Sequence, residues 1–325
     1  MIDISIIIVN YKSWNSLREC LDAIENINSK RFSFETIVVD NHSNDNKIEV
    51  FINQYPFAKF KLNSGNNGFA NGCNTGANIA KGDYLLFLNP DTIANENAIF
   101  ELWETAKNNL DIGIVSCSQI NEKNQTYKEV RFFPSFKTLF GIFRVINILS
   151  AKKQILKNFN PDKNIIFPDW ATGAVIFMST HWYKKVNGWN EKYWLYFEDV
   201  DICKRVVDNG GKIALLRTVQ IIHKHGGASR INIKTKALTK TEVLISKHVY
   251  FNEHSKGILN VIIQFLLVSS VIFEKIVLAI FGVLFFFVPK IRVNLYIFKN
   301  ILAYYFSAFH NKTWTSPRSM LYKKN

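Results

Sequence analysis

The stretch ISIIIV at residues 4–9 is apolar at every position but one. A short run without polar alternation is typical of a strand that is buried on both faces of its sheet. The run ends at Asn10-Tyr11, where the chain turns polar. The sequence therefore predicts a buried first strand, and the following segments build outward from it.

Strand-like and helix-like segments alternate after this first strand. Continuous apolar runs mark the strands, and apolar residues spaced three and four apart mark the helices. The predicted segments are helix 14–27, strand 36–39, helix 48–54, strand 60–62, a small-residue helix ending at Ala80, strand 84–88, helix 96–108 and strand 112–115. This alternation predicts an α/β fold, with a Rossmann-like, mostly parallel sheet and helices on both faces.

Polar side chains follow several of the predicted strands. They are Asn10, Tyr11, Asp40, Asn41, Asn89 and Asp91. Because ligands of open α/β sheets bind beyond the carboxyl ends of the strands, this set predicts a nucleotide site. The chain contains neither GxGxxG nor GxxxxGK[ST], so the dinucleotide fingerprint and the P-loop are excluded.

Asp91 follows Pro90 at the end of a buried apolar run. Such a pair can simply begin a turn. Alternatively, the carboxylate binds Mg²⁺ or Mn²⁺, which proteins hold through one or two carboxylates and phosphate oxygens. His223, at the end of a later strand, is a candidate for a second ligand or a phosphate contact, with a structural role as the alternative.

Three carboxylates lie in the stretch YFEDVD at residues 196–201, after an aromatic run. The apolar spacing beyond it predicts a short helix from Asp199 to the glycines at 210–211. Glu198 and Asp199 can cap the helix N-terminus. The alternative is that one of them is a general base. Asp91, this pair and His223 together fit a transfer reaction in which a metal neutralises a leaving diphosphate.

The four cysteines are far apart, so neither a zinc site nor a disulfide framework is expected and a reducing compartment fits best. The N-terminal run is too short, and lacks the basic start, for a signal peptide. Residues 118–168, which contain Pro134 and Pro168, have no clear period and are interpreted as a variable insert.

The end of the chain is basic and apolar. Residues 230–325 carry 14 Lys and Arg against three Glu, a net charge of +11 that leaves only +3 for residues 1–229. Apolar runs at 258–273 and 276–288, separated by Glu274-Lys275, favour two in-plane or re-entrant helices over one tilted span or a buried pair. An apolar stripe from Ile291 to Tyr305 predicts a basic interfacial helix, with a packing or dimer face as the alternative.

Seven segments carry a family resemblance. They are SIIIVNY (5–11), IVVDNHS (37–43), NNGFANGCN (66–74), YLLFLNPDT (84–92), DWATGA (169–174), VNGWNEKYWLYFEDVDICKR (186–205) and the His at 223. In this order they resemble the inverting family 2 glycosyltransferases with a GT-A fold, and within them the bacterial rhamnosyltransferases of O-antigen and cell-wall assembly.

The resemblance implies a role for each matching position. Asp199 would be the catalytic base, and Glu198 would orient it or bind the acceptor. Asp91 would bind metal and diphosphate together with His223, and Trp170 and Gly173 would face the sugar or acceptor. The residues implied in nucleotide binding are Val9, Tyr11 (stacking on the base), Asp40 (hydrogen-bonding the base), Asn66, Asn67, Gly68, Phe69, Asn89 and Asp91.

Two positions depart from the family pattern. The common Asp-x-Asp is here Asn89-Pro90-Asp91, so one carboxylate is missing, which predicts a weaker metal site or partial neutralisation by Lys or Arg. The usual Gly-Phe-Asp is here Gly188-Trp189-Asn190, a change expected to affect only the acceptor wall.

The expected activity is transfer of a sugar, with L-rhamnose from dTDP-rhamnose as the first candidate, to a hydroxyl of a glycan or polyprenyl-diphosphate-linked acceptor. Another hexose from a UDP-sugar, or a catalytically weak nucleotide-sugar-binding protein, are the alternatives. We expect residues 1–230 to be the catalytic domain. Residues 231–325 are expected to bind an anionic membrane surface on the cytoplasmic face of the cell membrane. The apolar stripe argues against nucleic acid as the partner of the basic tail.

Overall fold

The computed structural model describes residues 2–135, 164–224 and 232–322. Most of the predicted insert, at residues 136–163, lies outside the described residues. So does the segment 225–231, which contains the predicted domain boundary, and the division into 1–230 and 231–325 stays a prediction.

The described residues form two compact units. The first consists of residues 2–133, 164–190 and 198–224. The second consists of residues 134–135, 191–197 and 232–322. The aromatic run before Glu198 thus belongs to the second unit, whereas Glu198 itself begins a helix of the first.

The first unit is built on one mixed sheet. Its strands are β1 (Ile2–Asn10), β2 (Phe34–Asp40), β3 (Ala58–Leu62), β4 (Gly82–Leu88), β5 (Thr92–Ile93), β6 (Ile112–Ile120), β7 (Ile165–Ile166), β8 (Val175–Ser179) and β9 (Lys212–His223). Its helices are α1 (Trp14–Glu25), α2 (Lys47–Gln54), α3 (Phe69–Ala77), α4 (Glu96–Asn108), α5 (Thr180–Lys185) and α6 (Glu198–Asp208).

The strand order is β3-β2-β1-β4-β8-β6-β9-β5, with β7 paired to β9. The first four strands in this order are parallel, as are β6 and β9. The strand β8 lies antiparallel between β4 and β6. The α/β class and the central sheet with flanking helices are confirmed.

The first strand is buried on both sides, as its composition predicts. Ile4, Ile6 and Ile8 pack in the core under α1 and α4, whereas Ile7 and Val9 pack in the core on the other face. A Cβ on Gly76 of α3 would lie 2.5 Å from a methyl of Ile7, so the missing side chain lets α3 lie directly on β1. This close packing sets the start of α3 at the edge where β1 ends.

The four cysteines, Cys20, Cys73, Cys117 and Cys203, are free thiols and buried. Burial raises the pKa of the Cys20 thiol to about 12 and raises the pKa of the other three as well. Their spacing does not indicate a disulfide framework, and the described fold keeps all four in the core of the first unit.

The second unit contains three long helices, α7 (Ile233–His254), α8 (Gly257–Leu284) and α9 (Pro289–His310). Glu242 of α7 is fully buried, and its carboxylate accepts hydrogen bonds from Ser316 Oγ at 2.9 Å and Arg318 Nη1 at 3.1 Å. His248 lies between Gln264 and Tyr305, with its ring stacked on Trp314, and burial lowers its pKa to about 4. These buried polar contacts fix the final segment against α7.

The prediction of two helices at 258–273 and 276–288 is wrong, because α8 runs unbroken through Glu274 and Lys275. Lys275 is 8% exposed and lies on the packed stripe of α8, with its ammonium 2.5 Å from the Glu274 carboxylate. An adjacent acid and base therefore satisfy each other without ending the helix.

Helix α8 is long and apolar enough to cross a membrane, and 22% of its most apolar 18-residue stretch is buried. The side of α8 opposite its packed stripe is named here its outer face. This face comprises Ile258, Ile262, Phe265, Phe273, Ile276 and Ile280, all exposed.

In α9 the buried stripe runs through Val293, Ile297 and Ile301, so Leu302 of the predicted stripe is exposed whereas Tyr305 is buried.

Candidate active site

The carboxyl ends of β1 and β2 form the first wall of the candidate site. Asp40 is 1% exposed. Its Oδ1 accepts from Asn10 Nδ2 at 2.9 Å and from Ser43 Oγ at 2.5 Å, and its Oδ2 accepts from the Ser43 N–H at 2.9 Å. The carboxylate therefore holds the strand ends together, and its predicted contact with a base stays a prediction.

Val9 and Tyr11 differ in what they can offer a ligand. Val9 is 7% exposed and fills the space beside Gly72 of α3. Tyr11 is 36% exposed, with the Lys12 ammonium 5.5 Å from its ring centroid. An exposed ring at a strand end can stack on a planar base, whereas Val9 is covered by α3.

The loop before α3 is shaped by Gly68. Its φ of +100° lies in a region that residues with a side chain rarely adopt. The Asn41 side chain donates to the Gly68 carbonyl at 2.8 Å, and Asn67 donates to Ser64 Oγ at 3.3 Å. Phe69 then begins α3 and packs edge-on to Trp189, with ring centroids 5.5 Å apart. The predicted residues 66–69 thus form a fixed turn at this edge of the sheet.

The end of β4 brings Asn89 and Asp91 to the same edge. The Asn89 N–H donates to the Ala174 carbonyl at 3.0 Å, and its carbonyl accepts from Thr92. The Asp91 carbonyl accepts from the Lys224 N–H at 2.9 Å, which holds it beside the end of β9. There His223 Nε2 lies 3.2 Å from Asp91 Oδ1, so the two predicted metal ligands meet.

His223 is 3% exposed and is held from its other side. Its Nδ1 lies 2.8 Å from Gln119 Oε1, and Gln119 Nε2 donates to Thr172 Oγ1 at 2.6 Å. Tyr127 also donates its hydroxyl to the His223 carbonyl at 3.2 Å. Polar contacts therefore lead from Asp91 to the segment 169–174.

The segment 169–174 carries the predicted acceptor-side residues. Trp170 donates its Nε1–H to the Phe132 carbonyl at 3.0 Å, and Arg131 lies over its ring. The Gly173 N–H donates to Asp199 Oδ2 at 3.0 Å. A Cβ on Gly173 would lie 3.4 Å from Phe69 and 3.5 Å from Asp199 Cβ, so Gly173 separates the nucleotide-side turn from the base candidate.

The two candidate carboxylates begin α6, and both are affected by burial. Burial raises the pKa of Asp199, while N–H donors of Gly173 and Val200 and the charge of Arg131 oppose the shift. Burial, followed by the charge of Asp199, raises the pKa of Glu198 well above its usual range. Glu198 is 7% exposed, and its Oε2 has no hydrogen-bond partner among the described residues. The raised pKa values and the unpartnered Oε2 indicate that Glu198 and Asp199 do more than cap the N-terminus of α6.

The structure brings together two sets of predicted residues. Asp91 meets His223, and Gly173 lies against both Phe69 and Asp199. Gln119 and Arg131 were missed. Gln119 was missed because the predicted strand ended at Val115, where Ser116 and Ser118 break the apolar run, although β6 continues to Ile120. The available signal was Gln119 itself, since a polar residue near the end of a strand that continues to Ile120 is a candidate for the site.

The residues at Asp91 fit a divalent cation, although no group of three or more His, Cys, Asp or Glu side chains converges within the described residues. With a proton on Nδ1, a neutral His223 presents a lone pair to a carboxylate oxygen at 3.2 Å. Two acceptors at that distance repel unless a proton or a cation lies between them. A carboxylate and an imidazole suit Mn²⁺, with the remaining ligands from phosphate oxygens.

The fold and this edge define a GT-A glycosyltransferase. Among solved structures, the chain is similar in fold to GalNAc-T7, crystallised with UDP, GalNAc and Mn²⁺, with a TM-score of 0.55 at 14% identity over 75% of this chain and 48% of that one. The profile described as glycosyl transferase family 2 matches residues 5–181, and the chain belongs to that family. A second profile, the N-terminal domain of galactosyltransferase, matches residues 156–226.

Two characterised relatives match about two thirds of the chain. The low-salt glycan biosynthesis hexosyltransferase Agl10 of Haloferax volcanii is 26% identical over 68% of this chain and 67% of its own length. Rhamnosyltransferase WbbL of Escherichia coli K12 is 25% identical over 67% of this chain and 82% of its own. The chain is thus an enzyme that transfers sugars, and these names leave its donor and acceptor open.

Proposed function

We propose that the enzyme moves a hexose from a nucleoside-diphosphate donor to a hydroxyl group of a glycan or lipid-linked acceptor, with inversion, in surface polysaccharide biosynthesis. L-Rhamnose from dTDP-rhamnose is the first candidate donor, supported by the sequence segments shared with rhamnosyltransferases and by the similarity to WbbL. A UDP-hexose is the alternative donor. The similarity to the hexosyltransferase Agl10 supports transfer of a hexose without identifying the sugar or the nucleotide.

One observation carries the proposal, namely the setting of Asp199. Its two oxygens accept from the N–H groups of Gly173 at 3.0 Å and Val200 at 2.8 Å, which fixes the carboxylate at the start of α6. Burial raises its pKa and so makes it a stronger base than an exposed aspartate. A fixed carboxylate of raised basicity suits proton abstraction from an attacking hydroxyl.

The proposed reaction is a single displacement. The acceptor oxygen forms a bond to the anomeric carbon while the bond from that carbon to the diphosphate oxygen breaks. The hydroxyl proton passes to Asp199, and the bonding pair leaves with the nucleoside diphosphate. Attack from the face opposite the leaving group inverts the anomeric configuration.

Asp91 and His223 would hold Mg²⁺ or Mn²⁺, which supplies charge neutralisation for the leaving diphosphate. Tyr11 would stack on the nucleobase, and residues 66–69 would line the nucleotide pocket. Trp170 and Gly173 would face the sugar or acceptor, with Glu198 beside them. These assignments rest on the exposure of Tyr11 and on the contacts among Phe69, Gly173 and Asp199.

Attachment to the cytoplasmic face of the cell membrane is part of the proposal. The outer face of α8 is apolar apart from Ser269 over the length of the helix, which is about 42 Å at 1.5 Å per residue. The net charge of +11 over residues 230–325 favours an anionic lipid surface. A polyprenyl-diphosphate-linked acceptor would reach the enzyme at such a surface.

A donor screen tests the proposed function. Purified full-length protein is incubated with a polyprenyl-diphosphate-linked acceptor and with dTDP-rhamnose, UDP-sugars or GDP-sugars, with and without Mn²⁺, and scored by thermal shift and by released nucleoside diphosphate. We expect the largest shift and release with dTDP-rhamnose and Mn²⁺. A response only to UDP-sugars would replace the donor, and a response to none of them would contradict nucleotide-sugar transfer.

A catalytically weak nucleotide-sugar-binding protein is the second candidate, favoured by Asn89 in place of a carboxylate. It predicts a thermal shift with a donor but no release of nucleoside diphosphate. The same screen therefore separates the two candidates.

A further inference from the structure

The side chain of Gln119 joins the two halves of the candidate site. It lies near the end of β6 and is 8% exposed. Its Oε1 lies 2.8 Å from His223 Nδ1, and its Nε2 donates to Thr172 Oγ1 at 2.6 Å. Thr172 is followed directly by Gly173, whose N–H holds Asp199. The buried Gln119 amide thus contacts His223, the proposed metal ligand, and also Thr172, which precedes the residue that holds Asp199.

The orientation of the Gln119 amide sets the tautomer of a neutral His223. An amide oxygen only accepts hydrogen bonds, and an amide nitrogen only donates them. With Nε2 donating to Thr172, Oε1 accepts from Nδ1–H of His223. In this orientation a neutral imidazole carries its proton on Nδ1 and turns the lone pair of Nε2 toward Asp91 at 3.2 Å, whereas a flipped amide would place the proton on Nε2. The Nδ1–H form is the tautomer in which Nε2 can bind a cation.

We infer that Gln119 is a positioning residue, which holds His223 in the cation-binding tautomer and ties it to the segment that carries Gly173. The inference rests on the proposed function, since it concerns the metal that Asp91 and His223 would share. Partners of this kind, which bond to the second nitrogen of a ligating histidine, typically change metal affinity 10–100-fold.

A purely structural role for a buried glutamine makes a different prediction. Loss of the amide would then lower stability without changing the proton position on His223 or the selectivity for a cation. The Tyr127 hydroxyl, which donates to the His223 carbonyl at 3.2 Å, would still hold the backbone in place. Measuring the cation affinity and the tautomer of His223 in Gln119 variants therefore distinguishes a positioning role from a purely structural one.

The first experiment compares Gln119→Leu and Gln119→Glu in the full-length protein. Free Mn²⁺ is measured by electron paramagnetic resonance during titration, with and without UDP or dTDP. Gln119→Leu should bind Mn²⁺ about 10–100-fold more weakly. Gln119→Glu should stay close to wild type, because a carboxylate oxygen still accepts from Nδ1–H. Gln220→Leu, an exposed glutamine three positions before His223 on β9, is the matched control.

Wild-type affinity in Gln119→Leu, or equal loss in both variants, would overturn the inference. Thermal unfolding and circular dichroism show whether each variant is folded. If Gln119→Leu does not fold, the comparison of Gln119→Glu with wild type still decides, since a weaker Mn²⁺ affinity in that variant alone contradicts the assignment.

The second experiment needs no metal. Nitrogen-15 spectra of histidine-labelled protein at pH 8, with the His223 signals assigned by His223→Gln, show which ring nitrogen is protonated. The inference requires Nδ1–H in the wild type and in Gln119→Glu, and a proton on Nε2 in the wild type would overturn it. If Mn²⁺ binds neither wild type nor Asp91→Asn, the proposed metal site is overturned instead, and the spectra still decide the role of Gln119.

Discussion

The guanidinium carbon of Arg131 lies 4.8 Å from the ring centroid of Trp170. Trp170 is itself fixed by its bond to the Phe132 carbonyl. Burial lowers the pKa of Arg131, and the nearby charge of Asp199 raises it in turn. The stacked cation therefore belongs to the electrostatic setting of the proposed base, although it was not among the residues chosen from the sequence.

Arg131→Gln should move the acidic limb of the pH profile of kcat/KM to higher pH. Burial raises the pKa of Asp199, and Arg131 is one of the groups that oppose this rise. Without the cation, Asp199 takes up its proton at a higher pH and fails as a base sooner on acidification. A shift of about one pH unit is the scale expected for one nearby charge. The control is Arg31→Gln, which removes an arginine from an exposed ion pair with Glu96. An acidic limb that does not move in Arg131→Gln would contradict the role of Arg131.

Glu198→Gln should be more stable than wild type at high pH. Burial and the charge of Asp199 raise the pKa of Glu198, so the folded chain keeps a proton that the unfolded chain releases above about pH 4.5. The wild type therefore loses stability as the pH rises from there through the folded pKa, and the amide removes this loss. Melting temperatures at pH 5.5, 7 and 8.5 should diverge in favour of the variant. Parallel curves, like those expected for exposed Glu104→Gln, would refute the prediction.

Asp199→Asn should lower kcat by about 10²–10⁴-fold, the usual contribution of a general base. Donor affinity should be unchanged, because the nucleotide-side residues are untouched; asparagine keeps one acceptor oxygen, so one of the two N–H groups of Gly173 and Val200 loses its acceptor. The measurements are initial rates and calorimetric donor binding. Asp208→Asn, on an exposed carboxylate of the same helix, should behave as wild type. Near-normal turnover in Asp199→Asn would remove this residue from the base role.

Three substitutions on the outer face of α8, Phe265→Asn, Phe273→Asn and Ile280→Asn, should together release the protein from lipid vesicles. These side chains are 69%, 73% and 55% exposed, so their loss removes apolar surface without opening a core cavity. Flotation with vesicles of about one third anionic lipid measures binding. The matched control replaces Val50, Leu62 and Leu110 of the first unit, which are also exposed. Equal flotation of both triple variants would exclude α8 as the contact.

The sequence predicts the framework of the site well, because strand ends are marked by a change from apolar to polar residues. Asn10, Asp40 and Asn89 all lie where the strands end. The sequence does not predict which polar groups are already satisfied. Asp40 resembles Asp91 as a strand-end acid, yet its oxygens accept from Asn10 and Ser43, partners that come together only in the folded chain.

Two other features depend on contacts that the local sequence pattern does not specify. The strand β8 looks like any apolar run, and its antiparallel position between β4 and β6 follows from pairing partners that the run does not specify. In the second unit, Glu274 and Lys275 suggest a break because two charges interrupt an apolar sequence. Their mutual contact and the packing of Lys275 remove that penalty.

The buried cysteines make the enzyme a convenient host for site-directed probes. Thiol reagents attack the thiolate, so four inaccessible thiols of raised pKa should stay silent under mild maleimide treatment. A single cysteine introduced along α8 would then report its own immersion depth by spin label or fluorophore, against an otherwise native background.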